Sequence, residues 1–265
     1  KVASAELAVK TAQDNVEAAR EALQESAITY PKTARSFYEW MKTQENGKYT
    51  KSAAMAIAIL DDSTTVSAAT NKDGSPVDSK VVTAHTHEDD VNDATSLKNM
   101  LASVKWMKEA NRLRTDVEKL PAAQVSLRLM AASQVKANWS QEHTLKHSNV
   151  FGAGENLAWG WESFDPYGTT SRQRPYYMPG TEVDGQKQYE AAMAKVKAGQ
   201  TPDVNDLPQG WFWLEKFVLK SQQEYGFDFK AKYPQVGSAT GHYRLIADMN
   251  SGAKIAAMGY GLNTD

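Results

Sequence analysis

Residues 147–161 read HSNVFGAGENLAWGW, and the expected fold is built outward from this stretch. It places His147 at the end of a helical pattern, continues with a glycine-rich run, and opens an aromatic, strand-like segment with Glu155 and Asn156. A plain core element requires neither an imidazole nor a carboxylate. His147 and Glu155 are therefore candidates for a functional site whose other members come from elsewhere in the chain.

Composition and charge narrow the class of protein. The chain has 265 residues, of which 41% are hydrophobic, and its seven tryptophans argue against disorder. A net charge of −2 gives no general attraction for nucleic acid, so no nucleic-acid partner is expected. Cysteine is absent, which excludes thiol catalysis, disulfides and cysteine-ligated zinc. No apolar run approaches the roughly 20 residues of a membrane span, and a start at Lys1 indicates a fragment.

Residues 1–27 carry a heptad repeat without glycine or proline. The a positions are Val2, Val9, Val16 and Leu23, and the d positions are Ala5, Ala12, Ala19 and Ser26. This pattern is typical of a coiled coil and predicts a long N-terminal helix that ends near Pro31. Two interpretations stay open: the end of a longer stalk, which would pair in a homodimer, or a single helix packed on its own domain.

Residues 28–95 are expected to form a helical and loop extension that packs on the main domain. Two short helical patterns, near 37–41 and 52–60, precede a loop rich in Ser, Thr, Asp and Asn. The loop contains HTHEDD at 85–90. Its two histidines and three acids either ligate a metal ion or form a solvated loop that leads to a helix cap.

The next part of the chain predicts two long helices. The first starts near Ser96 and shows an apolar stripe at helical spacing. Pro121 is expected in the first turn of the second helix, where its missing N–H costs nothing. That helix runs toward His143 and His147, which are four residues apart and can share a face.

Strand candidates come late, at 241–249 and 254–262, and the Asn-Ser-Gly between them is a hairpin signal. The sequence thus predicts an α+β fold in which helices cover a small, mainly antiparallel sheet. If the strand that begins with His242 neighbours the Glu155 segment, these two side chains converge with His147. Two imidazoles and a carboxylate bind zinc or another divalent ion and leave a position open for water. Without a metal, the carboxylate orients an imidazole.

Two motifs carry a resemblance to a known family. They are KHS…GENLAWG at 146–160 and GHYRLIADMN at 241–250. In this order they resemble the CAP superfamily, which contains the cysteine-rich secretory proteins, antigen 5 and the pathogenesis-related proteins. The helix carrying Arg114 is similar to the opening of that domain, so the resemblance spans roughly 96–265. It implies a three-layer α-β-α sandwich, here with an insertion at about 161–209.

The resemblance also implies a cleft lined by two histidines and two acids. Its members would be His147, Glu155, His242 and Glu215. In the family the second acid follows a tryptophan by three residues, but in GWFWLEK the third residue after Trp211 is Leu214. Glu215 takes that place only if Phe212 stands for the tryptophan. Because one residue turns a helical side chain by about 100°, the spacing leaves open whether Glu215 reaches the cleft.

The lack of cysteine favours the bacterial branch of the family, whose members are often displayed on wall-anchored cell-surface proteins. The resemblance therefore implies a domain at the surface of a Gram-positive bacterium, carried by a stalk at 1–27. In one hypothesis, His147 and His242 hold zinc or another divalent metal that polarises water, and Glu155 acts as the general base. The site is then a metal-dependent peptidase that acts on a surface protein or peptide, or in surface exclusion during conjugation. In the other hypothesis the domain is a non-catalytic head that binds a protein, glycan or lipid. No further catalytic motif decides between them.

Overall fold

The computed structural model describes most of the chain. The described residues are 10–11, 13–17, 31–61, 82–143, 146–148, 150–157, 165–169, 184–250 and 254–264. Their helices are α1 (Ala34–Met41), α2 (Thr50–Leu60), α3 (Leu97–Arg112), α4 (Leu127–Glu142), α5 (Gly185–Lys197), α6 (Glu215–Tyr225), α7 (Phe229–Lys232) and α8 (Gly241–Ile246). The strands are β1 (Gln124–Val125) and β2 (Ala257–Met258), and single helical turns lie at Gln44–Gly47, Leu113–Val117, Val204–Asp206 and Gly210–Leu214.

The expected α+β fold with a three-layer α-β-α sandwich is wrong. Over the described ranges the chain is mostly helical, and its one sheet joins β1 and β2 in parallel. In this sheet Gln124 lies opposite Ala257, and Val125 lies opposite Met258. Two strands of two residues cannot form the middle layer of a sandwich. The core forms instead where helices pack on each other and on the irregular segments between them.

The predicted C-terminal hairpin is a helix followed by a single strand. Residues 241–246 form α8, and β2 pairs with β1 rather than with the segment just before it. Tyr243, Ile246 and Ala247 are buried, and this spacing of three and four residues defines one side of a helix. A strand would place Leu245 on the same face as Tyr243 and Ala247, but Leu245 is only half-buried.

Pro121 does not open a helix. The chain stays non-helical through β1, and α4 begins at Leu127, with Ser126 as the N-cap that accepts a first-turn N–H. The Asn111 side chain explains the delay, because it donates to the Ala123 carbonyl oxygen at 2.9 Å and accepts from the Ala123 amide at 2.8 Å. These bonds occupy the backbone of the segment that leads into β1.

Three hydrophobic clusters form the core. The first lies among α1, α2 and α4, where the Tyr38 hydroxyl donates to the Gln134 side chain at 2.7 Å. The second joins α3 to α8 and to the turn before α6, and the third joins α5, α6 and α7. The most buried large side chains include Ile59, Met107, Phe151, Leu113, Phe212, Trp213, Tyr243 and Phe217.

The N-terminal heptads are described only at 10–11 and 13–17, which are helical and exposed. Val16, an a position of the repeat, is 57% exposed. The rest of 1–27 lies outside the described residues, so the pairing of a stalk in a homodimer stays a prediction. Among the described helices, none is both long enough and apolar enough to cross a membrane.

One buried arginine fastens the segment that follows α8. Arg114 lies in the π-helical turn after α3 and is 1% exposed. Its guanidinium binds the Asp248 carboxylate through two hydrogen bonds, of 3.1 and 3.0 Å. It also donates to the carbonyl oxygens of Pro121, Ile246 and Ile255. This one side chain therefore connects α3, the approach to β1, the end of α8 and the approach to β2.

The Arg114–Asp248 pair predicts a stability that depends on pH. Burial alone would raise the pKa of Asp248, but hydrogen bonds from Arg114 and from the Ile255 amide outweigh it, and the pKa lies below its ordinary value. A carboxyl with a lowered folded-state pKa adds stability above its unfolded-state pKa, and this is lost as the pH falls through the folded-state value. We expect Asp248→Asn to lower the free energy of unfolding by about 3 kcal/mol at neutral pH, and by less in acid.

Urea unfolding over a series of pH values measures this effect. Asp61→Asn is the control, because it breaks the exposed ion pair between Arg35 and Asp61 and should cost less than about 1 kcal/mol. Equal losses for the two variants at neutral pH would contradict the assigned role of the buried pair.

Candidate functional site

The first His–Glu pair joins His147 to Glu155. Nδ1 of His147 and Oε2 of Glu155 are 2.7 Å apart, and Oε1 of Glu155 lies 3.4 Å from Nζ of Lys136. The His147 side chain is 47% exposed, whereas the side chains of Glu155 and Lys136 are 17% and 7% exposed. The imidazole therefore faces solvent, and the acid that holds it lies beneath, beside a buried cation.

A left-handed turn places the segment that carries Glu155. Phe151 and Gly152 have φ values of 67° and 56°, and the Phe151 side chain is buried. A positive φ is unfavourable for a bulky residue and persists only when its surroundings enforce it. Here Arg128 of α4 donates to the Phe151 carbonyl oxygen at 3.0 Å. The turn is thus held to α4 just before the chain reaches Glu155.

The second pair joins His242 to Glu215. Nδ1 of His242 and Oε1 of Glu215 are 2.5 Å apart, and Oε2 of Glu215 accepts the Tyr243 amide at 3.0 Å. Glu215 is buried, and the His242 side chain is 28% exposed. Trp211 stacks on the His242 ring, with 5.3 Å between centroids and 20° between planes. A carboxylate holds this imidazole at its edge, and an indole holds it on its face.

A π-helical turn answers the spacing question at the second acid. Residues 210–214 form this turn, in which the Leu214 amide donates to the Gln209 carbonyl oxygen at 3.1 Å. A π turn accommodates one residue more than an α-helical turn. Glu215, four residues after Trp211, therefore takes the place that the third residue would have in an uninterrupted α-helix. As a result, Trp211 and Glu215 contact the same imidazole.

The two pairs lie on adjoining segments. Asn156, which follows Glu155, donates from its side-chain amide to the His242 carbonyl oxygen at 3.4 Å. In both pairs a carboxylate, which only accepts, engages Nδ1, so that in the neutral imidazole Nδ1 carries the proton and Nε2 keeps its lone pair. The structure thus brings His147 to Glu155 and His242 to Glu215, and it links the two segments through Asn156.

Sequence reasoning missed Lys136. Within the described residues its one charged partner is Glu155, and its burial is unusual for lysine. The available signal was its place on α4: Lys136 directly follows the fully buried Val135 and lies eight residues after Arg128, on the same side of the helix. The two tryptophans of the stretch 147–161, Trp159 and Trp161, lie outside the described residues.

The HTHEDD segment leads to a helix cap. The His87 amide donates to the Asp93 carboxylate at 2.7 Å, and Ser96 caps α3. Nδ1 of His85 lies 3.1 Å from the Glu142 carboxylate. The His85 ring is 5.2 Å from the His143 ring, whose Nδ1 bonds to a carbonyl oxygen of α4. His143 is thus engaged at the end of α4 and is not paired with the acids of the site.

The metal-binding chemistry of the candidate site lies in His147 and His242. Over the described residues, no group of three or more His, Asp or Glu side chains is arranged to hold a metal ion. In their neutral forms, however, His147 and His242 bind the carboxylates through Nδ1–H and present the lone pair of Nε2. Such carboxylates orient metal-ligating histidines in many proteins and raise their basicity. Each histidine, taken alone, therefore has the chemistry of a divalent-metal ligand.

Three glycines let the turn before α6 approach its neighbours. Gly210 has a φ of 77°, and a Cβ there would collide with the Gly168 amide nitrogen. A Cβ on Gly185 would collide with the Gly168 carbonyl oxygen, and the Gly185 amide donates to the Thr169 carbonyl oxygen at 2.9 Å. The π-helical turn that aims Glu215 thus begins at a backbone contact that only glycine permits.

We expect Gly210→Ala to destabilise the protein far more than Gly199→Ala. Both glycines have a positive φ, but nothing lies within 4 Å of a Cβ on Gly199. The control should therefore cost about 1 kcal/mol, the price of a left-handed alanine, and Gly210→Ala at least about 3 kcal/mol, because backbone must also move. Chemical denaturation compares the two variants. Similar losses would show that the contact at Gly210 carries no strain.

Comparison with known proteins gives no match from which a function could be inferred. No family model, no curated protein and no solved structure matches the chain. Arguments about function therefore start from the two His–Glu pairs and from the motifs that contain them.

Proposed function

We propose that the chain is a cell-surface domain of CAP type, displayed on a coiled-coil stalk, and that its two His–Glu pairs form a metal-dependent peptidase site for surface proteins. The motifs around His147 and His242, rather than the layers of the fold, support the family. The observation that supports this chemistry is that both imidazoles make the same contact: each is bound at Nδ1 by a glutamate.

The chain's own residues prepare the site in two ways. Glu155 and Glu215 keep the proton of each imidazole on Nδ1, so that both Nε2 atoms present lone pairs. The Trp211 indole covers one face of His242 and limits its rotation. A divalent ion bound by the imidazoles would supply Lewis-acid activation of water and of a peptide carbonyl.

Zinc titration by calorimetry tests the site directly. We expect the wild-type chain to bind one equivalent, and His147→Ala or His242→Ala to abolish binding, because one imidazole alone cannot chelate. His85→Ala is the control: it removes a histidine that is also paired with a glutamate, outside the site, and should leave binding unchanged. Binding that is indifferent to both site substitutions would remove the metal from the proposal.

The role of the glutamates predicts a weaker effect for Glu215→Gln. An amide side chain can place either its NH2 group or its oxygen toward Nδ1, so the imidazole tautomer is no longer fixed. We expect zinc affinity to fall about 10- to 100-fold. Glu142→Gln removes the corresponding carboxylate from His85 and should leave the affinity unchanged. An unaltered affinity in Glu215→Gln would show that the carboxylate does not support the ligand.

The partly buried Trp211 favours a second candidate, a recognition head without catalysis. An indole stacked on an imidazole gives the site an aromatic wall, on which a peptide side chain or a sugar ring can pack. Incubation with a mixture of Gram-positive surface proteins separates the candidates. Cleavage that a chelator stops and that His242→Ala lacks supports the peptidase. Retention of a surface protein without cleavage, lost in Trp211→Ala, supports the recognition head.

A further inference from the structure

The two glutamates of the site are held by different donors. In each carboxylate one oxygen faces an imidazole Nδ1, and the other oxygen faces a second donor. For Glu215 this second donor is the Tyr243 backbone amide, at 3.0 Å. For Glu155 it is the Lys136 ammonium, at 3.4 Å. Lys136 thus stands in the Glu155 pair where the peptide N–H of Tyr243 stands in the Glu215 pair.

Helix α4 contacts the segment 150–157 at two points. Arg128 holds the Phe151 carbonyl oxygen, and Lys136, eight residues later on the same side of the helix, holds the Glu155 carboxylate. Both contacts are made by cations of one rigid element whose inner face is buried in the core. Contacts with α4, rather than the loop that carries Glu155, therefore fix the position of the carboxylate under His147.

The burial of Lys136 calls for a role other than stability. Taking a lysine and a glutamate out of water costs free energy that their attraction repays only in part, and apolar side chains would often serve stability equally well. A second donor on a carboxylate has a geometric effect instead, because it fixes which oxygen is turned toward the histidine.

We propose that Lys136 is a positioning residue that holds His147 in the Nδ1–H tautomer. This role rests on the proposed function, in which His147 Nε2 is the group that works. With Oε1 tied to Lys136, Oε2 points at Nδ1 and keeps the proton there. Without the ammonium the carboxylate rotates, the half-exposed imidazole turns, and both tautomers of His147 become populated.

Nuclear magnetic resonance of the ring nitrogens of the metal-free chain tests this role. At alkaline pH, where imidazoles are neutral, the ¹⁵N shifts distinguish a protonated nitrogen from one with a lone pair. We expect His147 to show a single tautomer in the wild type and a mixture in Lys136→Met. Lys136→Arg, which restores a cationic donor, should bring back the single tautomer. Lys136→Gln, which is shorter and uncharged, should resemble Lys136→Met and gives a second reading if the methionine variant does not fold.

Two controls separate positioning from general destabilisation. Lys216→Met removes another mostly buried lysine, which pairs with Glu118 at 2.7 Å, and should leave the His147 signals unchanged. The His242 signals should stay unchanged in every Lys136 variant, because the Tyr243 amide, and not Lys136, holds the glutamate that pairs with His242. An unaltered His147 pattern in both Lys136→Met and Lys136→Gln overturns the proposal, as does an equal change in Lys216→Met. No metal is added in this experiment. A failed zinc titration would therefore contradict the proposed function but not the role of Lys136.

Discussion

The arrangement of the molecule depends on one buried positive charge, the guanidinium of Arg114. A buried guanidinium is tolerated only when acceptors meet its five N–H donors. Here they come from Asp248 and from carbonyl oxygens before β1, at the end of α8 and before β2. The chain cannot satisfy Arg114 without folding its C-terminal segment back onto α3. That requirement places α8, and with α8 it places His242.

The two halves of the candidate site differ in how they can change during evolution. The Glu215 half is anchored by a main-chain amide of α8, and any residue other than proline at that position supplies the same donor. The Glu155 half is anchored by a side chain, so a single codon can remove its support. The more exposed histidine also belongs to this second half. Substitution of Tyr243 would therefore leave the donor to Glu215 in place, whereas substitution of Lys136 would remove the donor to Glu155.

Some local signals in the sequence predicted local structure, whereas others, such as Pro121 and the predicted C-terminal hairpin, did not. The apolar stripe behind Ser96 gave α3, and Gly199 follows α5 with the positive φ that ends many helices. The sequence did not predict local structure that depends on contacts between residues far apart in the chain. The alternation from Tyr243 to Ala247 suits a strand, but the demands of Arg114 and Glu215 on that backbone select a helix. The spacing from Trp211 to Glu215 was ambiguous, because an extra residue in a π turn changes the main chain and leaves no mark on composition.

The hydrogen bond between the Thr169 carbonyl oxygen and the Gly185 amide has a consequence for the architecture of related chains. It holds Thr169 and Gly185 together, although 16 positions separate them in the sequence. The entropy of closing a loop grows only slowly with its length once its ends are fixed. Thr169 and Gly185 therefore close a loop whose entropic cost would rise only slowly if residues were inserted between them.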